Sequence, residues 1–150
     1  MKNIIKLLIV VVSAVFACSC GSKNDGPQVG TRIVAEWHLV SVTGIDSVPE
    51  VYIDFASGGS FELFQKIGEG RFRKYLGTYT VSGKKLSGKY ADGEDWGSEY
   101  EVSFDGEDML LTALNGSGEV CGYEKKALPA SDKAEADLVT RSDMSEPRFL

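Results

Sequence analysis

From Ala35 to Lys126 the chain alternates between short apolar or every-other-residue apolar runs and clusters of Gly, Asp, Asn and Ser. Runs rich in Val, Phe, Tyr, Leu and Thr that end in such clusters are the pattern of β-strands. Eight are predicted: Ala35–Val42, Glu50–Ala56, Ser60–Ile67, Arg71–Val81, Lys85–Ala91, Ser98–Phe104, Asp108–Leu114 and Gly118–Lys126. The connectors are brief, among them Ser57-Gly58-Gly59, Ser82-Gly83 and Asp105-Gly106. Short loops join antiparallel neighbours, whereas a parallel pair needs a crossover of about a dozen residues. The prediction is an all-β, eight-stranded antiparallel up-and-down barrel over residues 33–126, since closure removes the edges an open meander would expose. A two-sheet sandwich uses the same strand count and is the rival fold.

The alternation assigns faces. Tyr75, Gly77, Tyr79 and Val81 share one, Leu86, Gly88 and Tyr90 another, and Tyr100, Val102 and Phe104 a third. Gly77 and Gly88 inside strands mark a bend or a place where room is needed. After Leu128 the pattern changes, and residues 127–150 form a C-terminal tail. Pro129 stops the last strand, and Asp132-Lys133-Ala134-Glu135 has capping-box spacing, predicting a short helix over Lys133–Val139. Arg141–Leu150 is mostly polar and expected to be mobile, with Phe149-Leu150 able to dock on the barrel.

The N-terminus has a different pattern. Lys2 and Lys6 precede an uncharged apolar run from Leu7 to Ala17. The run is shorter than the roughly 20 residues that span a bilayer and has the form of a signal peptide, residues 1–17. Val15-Phe16-Ala17-Cys18 and Ala17-Cys18-Ser19-Cys20 both resemble a bacterial lipobox, so Cys18, or alternatively Cys20, is the predicted lipid-attachment residue. Diacylglycerol plus an N-acyl chain anchors stably. Residues 18–32 then read as the lipidated Cys and a flexible tether. The predicted location is the cell envelope, on the outer membrane, with the membrane as a partner through the lipid.

Composition narrows the chemistry. The 150 residues carry a formal net charge of −6, one His and three Cys. The acidic balance argues against a nucleic-acid partner, which needs a basic footprint. His38 beside Trp37 is expected to face outward, and Cys121 to be a small buried hydrophobe. The Asp-Gly-Glu-Asp repeats at Asp92–Asp95 and Asp105–Asp108 lack an EF-hand pattern and read as solvated turns. No nucleophile elbow, phosphate loop or paired-His metal motif occurs. The expectation is a non-enzyme with neither cofactor nor metal. Arg71, Arg73, Lys74, Lys84, Lys85 and Lys89 are predicted to form a basic stripe.

Several stretches together resemble the lipocalin-like domain lipoproteins of Gram-negative bacteria. They are Glu36-Trp37-His38-Leu39-Val40-Ser41, Val51-Tyr52-Ile53-Asp54-Phe55 with Gly59 and Phe61-Glu62-Leu63, Leu76 through Tyr90, Trp96, Tyr100, and Asp105-Gly106 with Met109 and Leu111. Ala35 stands where the family's first-strand Gly is usual. The resemblance covers about Ile33 to Lys126. It implies an eight-stranded calyx, Trp37 closing one end, and a small apolar or amphipathic ligand. The aromatics expected to line the cavity are Phe61, Tyr75, Tyr79, Tyr90 and Tyr100. An eight-stranded barrel is just wide enough either to be filled by side chains or to hold one small ligand. The alternative is therefore a solid barrel, with no ligand cavity, that docks a protein or glycan through its outer face.

Overall fold

The computed structural model describes residues 28–140 and 147–150. The predicted signal peptide and both candidate anchor cysteines, Cys18 and Cys20, lie outside the described residues. Eight antiparallel strands form: β1 (Glu36–Val42), β2 (Glu50–Phe55), β3 (Ser60–Lys66), β4 (Arg73–Ser82), β5 (Lys85–Tyr90), β6 (Tyr100–Asp105), β7 (Asp108–Ala113) and β8 (Val120–Lys125). They hydrogen-bond in the order β3-β2-β1-β8-β7-β6-β5-β4, and β3 pairs with β4, which closes the ring. The sheet is a barrel and not a sandwich. Each strand begins and ends within two residues of its predicted bounds. The β4–β5 and β6–β7 hairpins turn through two residues led by Gly83 (φ 63°) and Gly106 (φ 60°), the left-handed start that tight hairpins require.

The predicted faces hold. Trp37, Leu39, Val51, Ile53, Phe55, Phe61, Leu63, Tyr75, Leu86, Tyr90, Tyr100, Val102, Met109, Leu111 and Tyr123 pack in one core. One irregularity is instructive. The β1–β8 register slips between Leu39 and Ser41, so Val40 and Ser41 both face outward while Val42 returns inward. Gly122 faces this bulge, and an added Cβ there would collide with Ser41 Oγ.

Gly77 and Gly88 make room inside. A Cβ on Gly77 would strike the Lys89 carbonyl and the Phe61 ring, and one on Gly88 would strike the Trp96 indole. Trp96 belongs to the connector between β5 and β6, where its backbone N–H donates to the Gly88 carbonyl at 3.1 Å. It turns inward, edge-on to Phe61 at 5.1 Å and to Tyr100 at 6.2 Å.

One end of the barrel is shut from below. The turn α1 (Val29–Arg32) crosses it, and Trp37 Nε1 donates to the Ile33 carbonyl at 2.8 Å. Arg32 donates to the Gly106 carbonyl at 2.6 Å and lies 3.8 Å over the Phe104 ring. The tether therefore ends earlier than its predicted bound of Arg32: these last residues are folded onto the barrel floor.

The tail also differs from expectation. The helix α2 spans Ala130–Glu135, with Pro129 in the N-cap position and no side-chain cap. Asp132 thus sits within the first turn and not at its start. The predicted continuation to Val139 is replaced by a strand, β9 (Asp137–Leu138), parallel to the start of β4. The cause is an unfilled edge. β5 pairs only from Gly77 onward, so Phe72 and Lys74 offer free carbonyls, which accept the N–H groups of Asp137 and Val139 at 2.9 Å each. On the way, Leu128 and Ala136 cover an outer cluster of Tyr52, Phe64 and Phe72.

Candidate functional site: the barrel mouth

Opposite Trp37, the mouth is framed by the ends of β3 and β5 and the start of β4. Its opening is narrowed by the chain itself. Leu150 is buried in the main core, as the sequence allowed, so the tail's last residues are docked and not mobile. What remains is a pocket of about 300 Å³ lined by Tyr75, Leu76, Tyr90, Leu138, Val139 and Arg148, among others. The pocket lining is mainly aromatic and aliphatic.

The five predicted lining residues separate. Tyr75 and Tyr90 face this pocket. Phe61 and Tyr100 do not reach it; they are sealed in the core against Trp96. Tyr79 points toward the closed end, where its hydroxyl donates to the Ala56 carbonyl at 2.7 Å and its ring meets Phe55 edge-on at 4.9 Å. The interior that the lining set was to enclose is thus occupied by side chains, and the open volume lies at the rim.

Burial shapes the chemistry of the phenols and the thiol. It pushes the Tyr100 hydroxyl and the Cys121 thiol each up to about 12, and raises Tyr90 and Tyr123 well above the ordinary tyrosine value. All stay neutral near pH 7. Cys121 is free and buried, as expected. Two groups in the interior, Trp96 Nε1 and Tyr123 Oη, have no hydrogen-bond partner among the described residues. Each such orphan costs about 1–3 kcal/mol.

Two residues at the mouth, Gln65 and Arg148, were not singled out from sequence, and Asp92, expected in a solvated turn, instead has only 11% of its side chain exposed. Gln65 is a buried polar side chain on the inward face of β3. Its Nε2 donates to the Pro147 carbonyl at 2.8 Å and its Oε1 accepts from the Phe149 N–H at 3.0 Å. The Tyr90 hydroxyl donates to the Leu150 backbone oxygen at 2.8 Å. Arg148 forms a two-pronged ion pair with Asp92, its guanidinium 4.4 Å over the Tyr90 ring and 5.7 Å over that of Tyr75. The pair with Asp92 raises the Arg148 pKa further. Parity along β3 (Phe61, Leu63, Gln65) was the available signal for Gln65. Nothing local marked Asp92 and Arg148 as partners.

On the outer wall the basic stripe is interleaved with acids. Lys74 meets Glu62 at 2.8 Å, Lys85 meets Glu99 at 2.5 Å, Lys89 meets Asp95 at 3.0 Å and Arg71 meets Asp137 at 4.0 Å. A wider polar groove of about 660 Å³ runs beside it, past Thr78, Thr80, Ser87 and Ser98. His38 lies outside the barrel, stacked on Tyr52 at 4.4 Å and 3.0 Å from Glu124, a contact that lowers the Glu124 pKa. No group of three or more His, Cys, Asp or Glu side chains gathers among the described residues.

A closed eight-stranded meander with its floor held by a first-strand Trp meets an independent finding: the sequence profile of the lipocalin-like domain matches residues 33–111, more than half of the chain. The chain belongs to the lipocalin-like domain family. No curated protein matches it significantly. The matched region runs from the Trp37 floor through β6 and most of β7. It contains the wall residues Gln65, Tyr75, Tyr90 and Asp92, but not Arg148 or Leu150. Membership and the barrel together support a binding role in general.

Proposed function

We propose that the protein is a lipid-anchored binding protein of the cell envelope that holds a small apolar or amphipathic molecule at the barrel mouth. The pocket of about 300 Å³ between Tyr75, Leu76, Tyr90, Leu138 and Val139 carries this reading. Its volume is at the lower end of small-molecule sites. At roughly 30 Å³ per heavy atom it takes about ten, a medium acyl chain and not a long one. At about 0.7 kcal/mol per atom, within the range for small ligands, the affinity is about 7 kcal/mol, or about 10 μM.

Calorimetric titration of the mature chain with decanoate tests this. The expected Kd is about 10 μM. Leu138→Glu, on the exposed lip, is expected to abolish binding without unfolding the barrel. Absence of binding at millimolar decanoate would refute the pocket. For the anchor, Cys18→Ala is expected to shift the protein into the soluble fraction, and Cys20→Ala if the second lipobox is used. If neither releases it, the lipoprotein reading fails.

A further inference from the structure

The residues Pro147–Leu150 are held in an unusual way for part of a β-fold. None of the four has a backbone–backbone hydrogen bond among the described residues. The barrel instead grips them with its side chains. Gln65 offers one donor and one acceptor to the backbone of Pro147 and Phe149, the same two-bond pattern that one strand residue offers its partner. Tyr90 supplies a third bond, to the backbone of Leu150. Such bonds read an extended backbone whatever its side chains.

Two further features select side chains. The carboxylate of Asp92 and the faces of Tyr90 and Tyr75 enclose the Arg148 guanidinium, a combination of bidentate pairing and cation–π contact suited to arginine more than lysine. Glu94 adds its negative charge to the same side. Two residues on, Leu150 drops into the core with only 4% of its surface exposed. A backbone reader, a cation cradle and an aliphatic hole at fixed spacing are the parts of a peptide-recognition site.

We propose that the barrel mouth is a binding site for an extended peptide bearing an arginine followed two residues later by an aliphatic side chain, with Pro147–Leu150 as its resident occupant. A second peptide of that chemistry takes its place when the resident segment lets go, an opening that needs no strand to separate. The site is distinct in ligand from the pocket for an acyl chain: decanoate reads the pocket, a peptide reads this one.

The test uses the full mature chain and a fluorescently labelled peptide, Pro-Arg-Phe-Leu, followed by polarisation. Arg148→Glu weakens the resident segment's hold and is expected to bind the peptide at least tenfold tighter than the unaltered chain. Leu150→Ser provides a second release with the Asp92 cradle intact and the same expected gain. Asp92→Arg is expected to reverse the preference, taking Pro-Glu-Phe-Leu at least tenfold better than Pro-Arg-Phe-Leu. Near-UV circular dichroism checks that the barrel is folded in each. Folded Arg148→Glu and Leu150→Ser chains that gain no peptide binding at millimolar concentration, or an Asp92→Arg chain with unchanged preference, would overturn the proposal. Peptide binding without decanoate binding would retain this site and discard the acyl pocket.

Discussion

Gly88→Ala asks whether the Trp96 indole fills the barrel as tightly as the structure indicates. A Cβ on Gly88 would lie 2.7 Å from Trp96 Cδ2 and nearer still to Cε2 and Cζ2. Carbon atoms settle at about 3.5–4.0 Å, so the indole must retreat by more than about 1 Å. Its escape is limited by Phe61, Tyr100 and Phe55, whose ring centroids stand at 5.1, 6.2 and 6.5 Å. Overpacking of this kind costs about 1–3 kcal/mol. Loss of glycine's unfolded-state freedom offsets about 0.4–1 kcal/mol. The net expectation is a destabilisation of about 1–2 kcal/mol, or roughly 4–8 °C in melting temperature. Trp96→Ala alone is expected to cost about 3–5 kcal/mol through the void it leaves. In the double variant the new methyl has space, so the two costs should fall short of additivity by at least about 1 kcal/mol. Urea denaturation followed by far-UV circular dichroism gives all four corners of the cycle. If Gly88→Ala costs as much in the Trp96→Ala background as in the native one, the packing argument is wrong.

Other perturbations probe the rest of the architecture. Trp37→Phe removes the donor to the Ile33 carbonyl and is expected to cost about 1–3 kcal/mol, read as a lower urea midpoint. Gly77→Ala should be worse than Gly88→Ala, because part of what its methyl meets is the Lys89 backbone carbonyl, which cannot swing aside as a side chain can. Alkali should unfold the protein. The Cys121 thiol and Tyr100 hydroxyl, ordinarily near 9.0 and 10.0, are raised to about 12 in the folded state, so above pH 9 the unfolded chain loses protons that the native one keeps. Their contribution to stability is full below about pH 9 and falls progressively toward pH 12. Urea melts across that range check it, and Cys121→Ala should make the decline shallower. At pH 8 native Cys121 should resist iodoacetamide until the protein unfolds.

Much of the wall was legible because its determinants are local. Turn glycines such as Gly83 and Gly106 fix hairpins, and alternation in β4, β5 and β6 fixes which side chains enter. Gly77 and Gly88 were readable as places needing room, though not what fills that room. Trp96 sits in an Asp- and Gly-rich connector, where nothing in sequence says that it turns inward over Gly88. That single placement moves Phe61 and Tyr100 from cavity lining to sealed core. The tail was misjudged for a similar reason. The capping-box spacing at Asp132–Glu135 suggested a helix running on to Val139, but the free edge of β4 at Phe72 and Lys74 captures Asp137–Leu138 as a strand. Tyr75 and Tyr90 face inward, as parity along β4 and β5 indicates. Parity turns Gln65 inward, but its bond to the tail and the Asp92–Arg148 pair join segments more than fifty residues apart, which no local pattern encodes.

Binding at the rim between β4, β5 and β9, over an interior already filled, has its own spectroscopic signature. Amide chemical shifts of the isotopically labelled full mature chain, recorded during titration with decanoate, test it most directly. Saturable shifts are expected at Leu76, Ala91, Leu138 and Val139, with the closed-end residues Ile33, Trp37 and Gly106 unmoved. Shifts centred on the closed end or on the outer groove by Thr80 and Ser87, or no saturable shifts at all, would contradict it.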